Sequence, residues 1–266
     1  MRTIISANDA IQSAFNAARL SGLEKINETR PDNAGIGTLA ERSLHCILKY
    51  WAQPDDSCHE ISLGLGKLVA DVFDGERVTE IQTRGFSPLK DKLSRILPHY
   101  PVTVIHPVTA VKRLVWIDPK SGESTSPRKS PKNGNVWEVF SELTHIPQFL
   151  NHPDFRLKIV MLDMDEFRLK NGWGKGGKRG SHRVERIPTA IREIITLASC
   201  EDYFELLSPP ENPLPDVPFT VAQVAKLHGI GTRTAGAIVY SMYHAGIIIR
   251  IGKIGNAWQY APVMEG

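Results

Sequence analysis

Residues 60–84 read EISLGLGKLVADVFDGERVTEIQTR. Val, Ile and Leu recur here at the two-residue period of strands. Asp74-Gly75 separates two alternating arms, and Asp-Gly in that position is a strong hairpin signal because the turn needs positive φ. The stretch therefore predicts two or three short strands, with Asp71 ending one arm and Glu80 and Gln82 on the next. Side chains alternate along a strand, so Glu80 and Gln82 share a face while Ile81 points into the core. The hairpin brings Asp71 close to Glu80. Two acids converging at a sheet edge beside a backbone carbonyl suit a hard divalent cation such as magnesium.

Upstream, GIGTLAERSLHCILKYW (residues 35–51) reads as a helix with Thr38 as N-cap and Glu41 at the capping-box position. Leu44, Ile47, Leu48 and Trp51 repeat at helical spacing and mark its buried face. Glu41 falls at the margin of that face, where an acid is expensive to bury without a partner, and a metal ion is one such partner. His45, one turn on, either pairs with Glu41 or is an ordinary structural histidine. An amphipathic helix is expected before this, at residues 7–26.

Downstream, SPLKDKLSRILPHY predicts a helix with Ser87 as N-cap, and PVTVIHPV a buried strand. Thr83, Arg84, Lys90 and Lys92 follow the acidic pattern, as backbone-phosphate contacts or as plain surface charge. A strand, long turn and strand are expected around KRLVWIDPKSGESTSPRKSP, then short helices at VWEVFSELTHI and PQFLNH. Another strand is expected at RLKIVMLDMDEFRL, and a helix from about Thr189 to Cys200.

Composition narrows the function classes. No apolar run approaches the length of a membrane-spanning helix, which excludes a helical membrane protein and fits a cytoplasmic location. Three cysteines without CxxC spacing exclude a disulfide framework and a structural zinc site. The net charge of +3 is modest, but Arg168 to Arg192 holds eight cations against Glu185 alone. That run includes Lys175, Lys178, Arg179 and Arg183 in a glycine-rich loop, where Trp173 could stack on a base. It is either a solvated basic loop or the footprint of a polyanion.

The prolines of SPPENPLPDVP forbid regular structure, so residues 208–217 read as a linker. Residues 218–266 follow the order helix, glycine turn, helix, β-hairpin. Thr220 and Thr232 are the expected helix caps. The pattern resembles a winged helix-turn-helix, whose second helix enters the major groove with the hairpin as wing. Arg233, Arg250 and Lys253 favour DNA there over a protein partner.

The order from Gly37 to Pro107 is a Glu-bearing helix, a β-meander carrying Asp71 and Glu80-x-Gln82, a helix and a strand. It resembles the PD-(D/E)xK nuclease superfamily, which includes many restriction endonucleases and Holliday-junction resolvases. Gln82 stands where that pattern has Lys, and Ala70 where it has Pro. A lysine would position the attacking water and offset charge at phosphorus, whereas an amide can only orient the water. The resemblance implies an α/β, restriction-endonuclease-like domain over residues 1–207, a mixed central sheet flanked by helices. It implies a site of Glu41, Asp71, Glu80 and Gln82, with Mg2+ or Mn2+ held by Asp71, Glu80 and the Ile81 carbonyl and supported by Glu41. The implied function is metal-dependent DNA endonucleolysis in repair, recombination or defence. The alternative is a non-catalytic DNA-binding protein or transcriptional regulator that keeps the fold. RNA remains open as a substrate, and cutting two antiparallel strands calls for a homodimer.

Overall fold

A computed structural model describes residues 3–28, 40–170, 183–214 and 217–263, without the side chains of residues 40–42 and 132. The hairpin at Asp74-Gly75 forms as its sequence dictates. Gly75 has φ +96°, and Asp74 Oδ1 accepts from the main-chain N–H of Glu76 and Arg77 at 3.0 and 2.8 Å. It joins β3 (Val69–Phe73) to β4 (Val78–Ile81), and β2 (His59–Ser62) pairs antiparallel with β3 on the other side. Helix α2 (Ala40–Ala52) precedes this meander; α3 (Leu89–Ile96) and β5 (Val102–Ile117) follow it.

Strand β5 runs parallel to β4 and to β7 (Phe155–Leu169). Beyond β7 come β8 (Arg183–Leu197) and β1 (Thr3–Ser6), both antiparallel, while β6 (Arg128–Asn133) pairs with the far end of β5. Among the described residues this is an eight-stranded mixed sheet in the order β1-β8-β7-β5-β4-β3-β2. The chain is thus mixed α/β with helices flanking a large sheet, as expected. Pro107 is tolerated within β5 because pairing to β4 ends at Ile105 and pairing to β6 begins at Val111.

Helix α1 (Asp9–Glu28) and α2 cover one face, burying Phe15, Leu44, Ile47 and Leu48 against Ile81, Ile105, Val160 and Ile194. The two helices cross closely at Gly22, where a Cβ would lie 2.9 Å from the Ile47 backbone. The other face buries Val78, Val104 and Leu157 beneath α3 and α4 (Phe140–Leu143), with α5 (Cys200–Leu207) capped by Ser199. The same buried cluster continues into α6 (Val221–Leu227) and α7 (Thr232–His244), through Val224, Ala235 and Ile238. Strands β9 (Ile248–Ile254) and β10 (Ala257–Pro262) close the described chain as a hairpin.

Several local expectations change. The helix expected from Thr189 to Cys200 is strand β8. Its Ile187, Ile191 and Ile194 fall at helical spacing, but β-branched residues between two partner strands pair instead. Strand β1 had no sequence signal, and α1 starts at Asp9 rather than at residue 7. The cap of α3 is Pro88, not Ser87, and that of α7 is Gly231, not Thr232. Thr38 lies outside the described residues. All three cysteines are free, and among the described residues no helix is long and apolar enough to cross a membrane.

Candidate functional site

Asp71 on β3 and Glu80 on β4 line one cavity of about 660 Å3, together with His45, Gln82, Arg84 and Lys92. The site owes its shape to the meander. Val72 pairs with Thr79 across the β3–β4 ladder, so the next step outward brings Asp71 beside Glu80. Asp71 Oδ2 accepts from the Ile81 main-chain N–H at 2.7 Å and lies 3.2 Å from His45 Nε2, which projects from α2. Glu80 is 3 % exposed. Its Oε2 lies 2.5 Å from the Lys92 ammonium on α3, while its Oε1 is buried without a hydrogen-bond partner.

These surroundings separate the two acids electrostatically. For Glu80, burial first and the Asp71 charge second outweigh Lys92 and push the carboxyl up to about 7. For Asp71, burial acts upward too. The His45 hydrogen bond and charge, the Ile81 N–H and the Lys92 charge overcome it and hold the group below the usual carboxylate range. One acid is therefore ionised at neutral pH while its neighbour can hold or release a proton there.

A divalent cation fits this donor set. Glu80 Oε1 is a buried acceptor lacking a donor, and a nearby dication would stabilise both ionised acids at once. Asp71, Glu80 and the Ile81 carbonyl are the groups that would hold it. Among the described residues no three His, Cys, Asp or Glu side chains are placed so that together they could hold a metal ion. Glu41 lies in the first turn of α2, and its side chain is outside the described residues.

Other expected residues are distributed differently. The Gln82 amide nitrogen donates to the Gly85 carbonyl at 2.7 Å, so it braces the turn after β4. The Gln82 carbonyl accepts from His106 Nδ1 at 2.7 Å, and burial holds that histidine below its ordinary range despite this bond. Lys175, Lys178, Arg179 and Trp173 lie outside the described residues. The rest of the basic run is largely paired. Arg192 makes two bonds to Asp163, and Arg168 bonds Glu166, which also faces Lys112 and Arg183 at 3.5 and 3.9 Å.

A second cavity of about 760 Å3 shares Thr83 and Arg84 with the first and runs between the sheet and the α6–α7 turn. Arg186 on β8 and Arg233 at the start of α7 line it. Helix α7 packs against α4, so its first turn faces this groove. On the hairpin, Arg250 lies 4.4 Å from the Tyr243 ring and 4.8 Å from Trp258, and Lys253 lies 4.2 Å from Trp258. Sequence reasoning missed the partners of two residues. His45 meets Asp71, and Lys92 meets Glu80. The signal for Lys92 was its place one residue before buried Leu93 on the helix after the motif.

A family model described as "Domain of unknown function (DUF8091)" matches residues 42–198. A Treponema pallidum (strain Nichols) protein described as "Uncharacterized protein" is 26% identical over 168 residues, 63% of this chain and 64% of that relative. This chain thus spans less than two thirds of the relative's length. No solved structure matches.

Proposed function

The chain belongs to the family described as "Domain of unknown function (DUF8091)", and from that premise we propose that it is a divalent-metal-dependent phosphodiesterase acting on DNA. The observation that carries the reading is the Asp71–Glu80 pair, with its buried, donorless Oε1 facing one cavity. A bound Mg2+ or Mn2+ would polarise a phosphoryl oxygen and lower the pKa of a water. Asp71, kept ionised by His45 and the Ile81 N–H, would hold that cation together with Glu80 in its ionised form, the Glu80 proton passing to solvent. Lys92 would offer positive charge beside the phosphate. Gln82 holds the turn that carries Arg84.

The order helix, three strands, helix, strand supports the restriction-endonuclease-like reading of residues 37–107. The helix pair and hairpin after Pro218 support the winged-helix reading. The groove from the acids past Arg84 to Arg186 and Arg233 offers phosphates a path into the site. One observation favours a second reading, a DNA-binding protein without catalysis: Lys92 already bonds the Glu80 oxygen Oε2 that a cation would need.

Cleavage of linear, nicked and branched DNA, with RNA in parallel, separates these readings. Metal-dependent cleavage that falls at least about 100-fold in Asp71→Asn and Glu80→Gln, with DNA affinity retained, is the expected result. Binding without cleavage in either metal would establish the second reading. Preference for RNA would move the substrate class.

A further inference from the structure

On the opposite face of β4 from Glu80, a separate cavity of about 270 Å3 opens beside the last residue of α2. Its polar lining is Arg77, Arg156, Lys158, Thr79, Thr103 and Thr196. Sheet register builds it. Thr79 pairs with Thr103, and Thr103 with Arg156, making one row across β4, β5 and β7. Two residues along, Lys158 pairs with Ile105 on one side and Thr196 on the other, which makes a second row on the same face. Arg77 enters from the hairpin.

Elsewhere on β7 charges are matched across strands: Asp163 takes Arg192 of β8, and Asp165 takes Arg113 of β5. Here the matching acids are missing. Among the described residues Arg77, Arg156 and Lys158 have no ion pair, and no acid lines the pocket. Arg77 Nη1 is buried without a hydrogen-bond partner. Asp74 and Asp154 reach Arg77 only through their charge. Burial, then repulsion from its neighbours, holds Lys158 below its ordinary range, and its ammonium lies 5.8 Å from the Trp51 ring.

Three like charges drawn together beneath a rim of hydroxyls raise the energy of the fold unless an anion joins them. The hydroxyls and cations present many donors, which suits a small ligand with several acceptor oxygens on one centre. We infer that this pocket binds a phosphate-type oxyanion through Arg77, Arg156, Lys158 and the threonine hydroxyls. Its volume suits a single phosphate or diphosphate group and is far too small for a duplex. The phosphate comes either from a small phosphorylated molecule or from the end of a nucleic-acid strand.

The test uses the full chain, with calorimetric titration of pyrophosphate at low salt and amide spectra of Thr79, Thr103 and Thr196. Saturable binding that shifts those three amides is expected. Arg156→Gln and Lys158→Met should each weaken it about 10-fold or more, while Lys120→Gln, on a distant exposed turn, leaves it unchanged. Asp71→Asn should also leave it unchanged, so this site and the carboxylate site stand or fall separately. Binding that survives both pocket variants, or no saturable binding up to about 10 mM, overturns the assignment. Displacement of pyrophosphate by a 5'-phosphorylated oligonucleotide, but not by its 5'-hydroxyl counterpart, assigns the site to strand ends. Failure of both to displace it assigns the site to a small molecule.

Discussion

The two faces of β4 solve opposite electrostatic problems within four residues. At Glu80 the sheet gathers acids and leaves a buried oxygen without a donor. Around Thr79, on the opposite face, it gathers the partly buried Arg77 and Lys158 and the exposed Arg156 without a matching acid. Neither arrangement lowers the energy of the isolated chain, since like charges repel. Both become favourable once a ligand of the opposite sign arrives. The comparison teaches that local charge imbalance, more than the net charge of +3, marks where this molecule expects company.

The largest effect expected on the acidic face comes from the proton on Glu80. Its pKa is raised from the ordinary 4.5 to about 7 in the fold. The folded state therefore binds more protons than the unfolded chain between those values, and stability falls as pH rises through that window. The full contribution is present below about pH 4.5 and is lost as pH approaches 7. Urea titrations of the metal-free protein should show a loss on the order of 2 kcal/mol from Glu80 across this range. Glu80→Gln should flatten that part of the profile. An unchanged profile in the variant would mean that Glu80 is not the strained group.

Lys92 gives a smaller effect of definite sign. It is the cation that lowers Glu80, so Lys92→Met should move the Glu80 titration to higher pH and cost about 1 kcal/mol at pH 8. Lys92→Arg should restore most of that stability. A methionine variant as stable as the parent at pH 8 would show that the pair carries little energy and that Lys92 is free for other work.

How much of this was legible depended on sequence distance. The meander was readable because Asp74-Gly75 and the alternating apolar residues state their pairing within twenty residues. Asp71, Glu80 and Gln82 were found for that reason. Lys92 was visible only as a surface cation, because its partner lies across the β4–α3 turn. Among the described residues of the basic run from Arg168 to Arg192, much of the charge is paired. Arg168 bonds Glu166 two residues back on its own strand, while the Arg192–Asp163 pair crosses from β8 to β7 and only the strand register reveals it. The three-cation pocket was illegible for the same reason. Arg77, Arg156 and Thr196 are spread over more than a hundred residues and meet only through the order of the strands. Strand β8 itself was misread because its partners β1 and β7 had not been paired in advance.

The smallest effect expected is also the one that separates the two faces most cleanly. Removing Lys92 takes away a counter-charge, but removing Lys158 takes away a source of repulsion. Lys158→Met keeps the aliphatic stem against Trp51 and deletes a charge that burial, Arg156 and Arg77 all disfavour. The lost cation–π contact costs something of the order of 0.5 kcal/mol, which works against the gain. Lys158 is only partly buried, so water screens the repulsion, and a net stabilisation of about 0.5 kcal/mol is expected at low ionic strength. Salt at about 0.5 M should erase it, because screening already relieves the parent. Saturating pyrophosphate should invert the order, since ligand binding stabilises only the form that retains the site. A Lys158→Met protein less stable than its parent under all three conditions would mean that the Lys158 ammonium has a counter-charge of its own, and the contrast between the faces of β4 would fail.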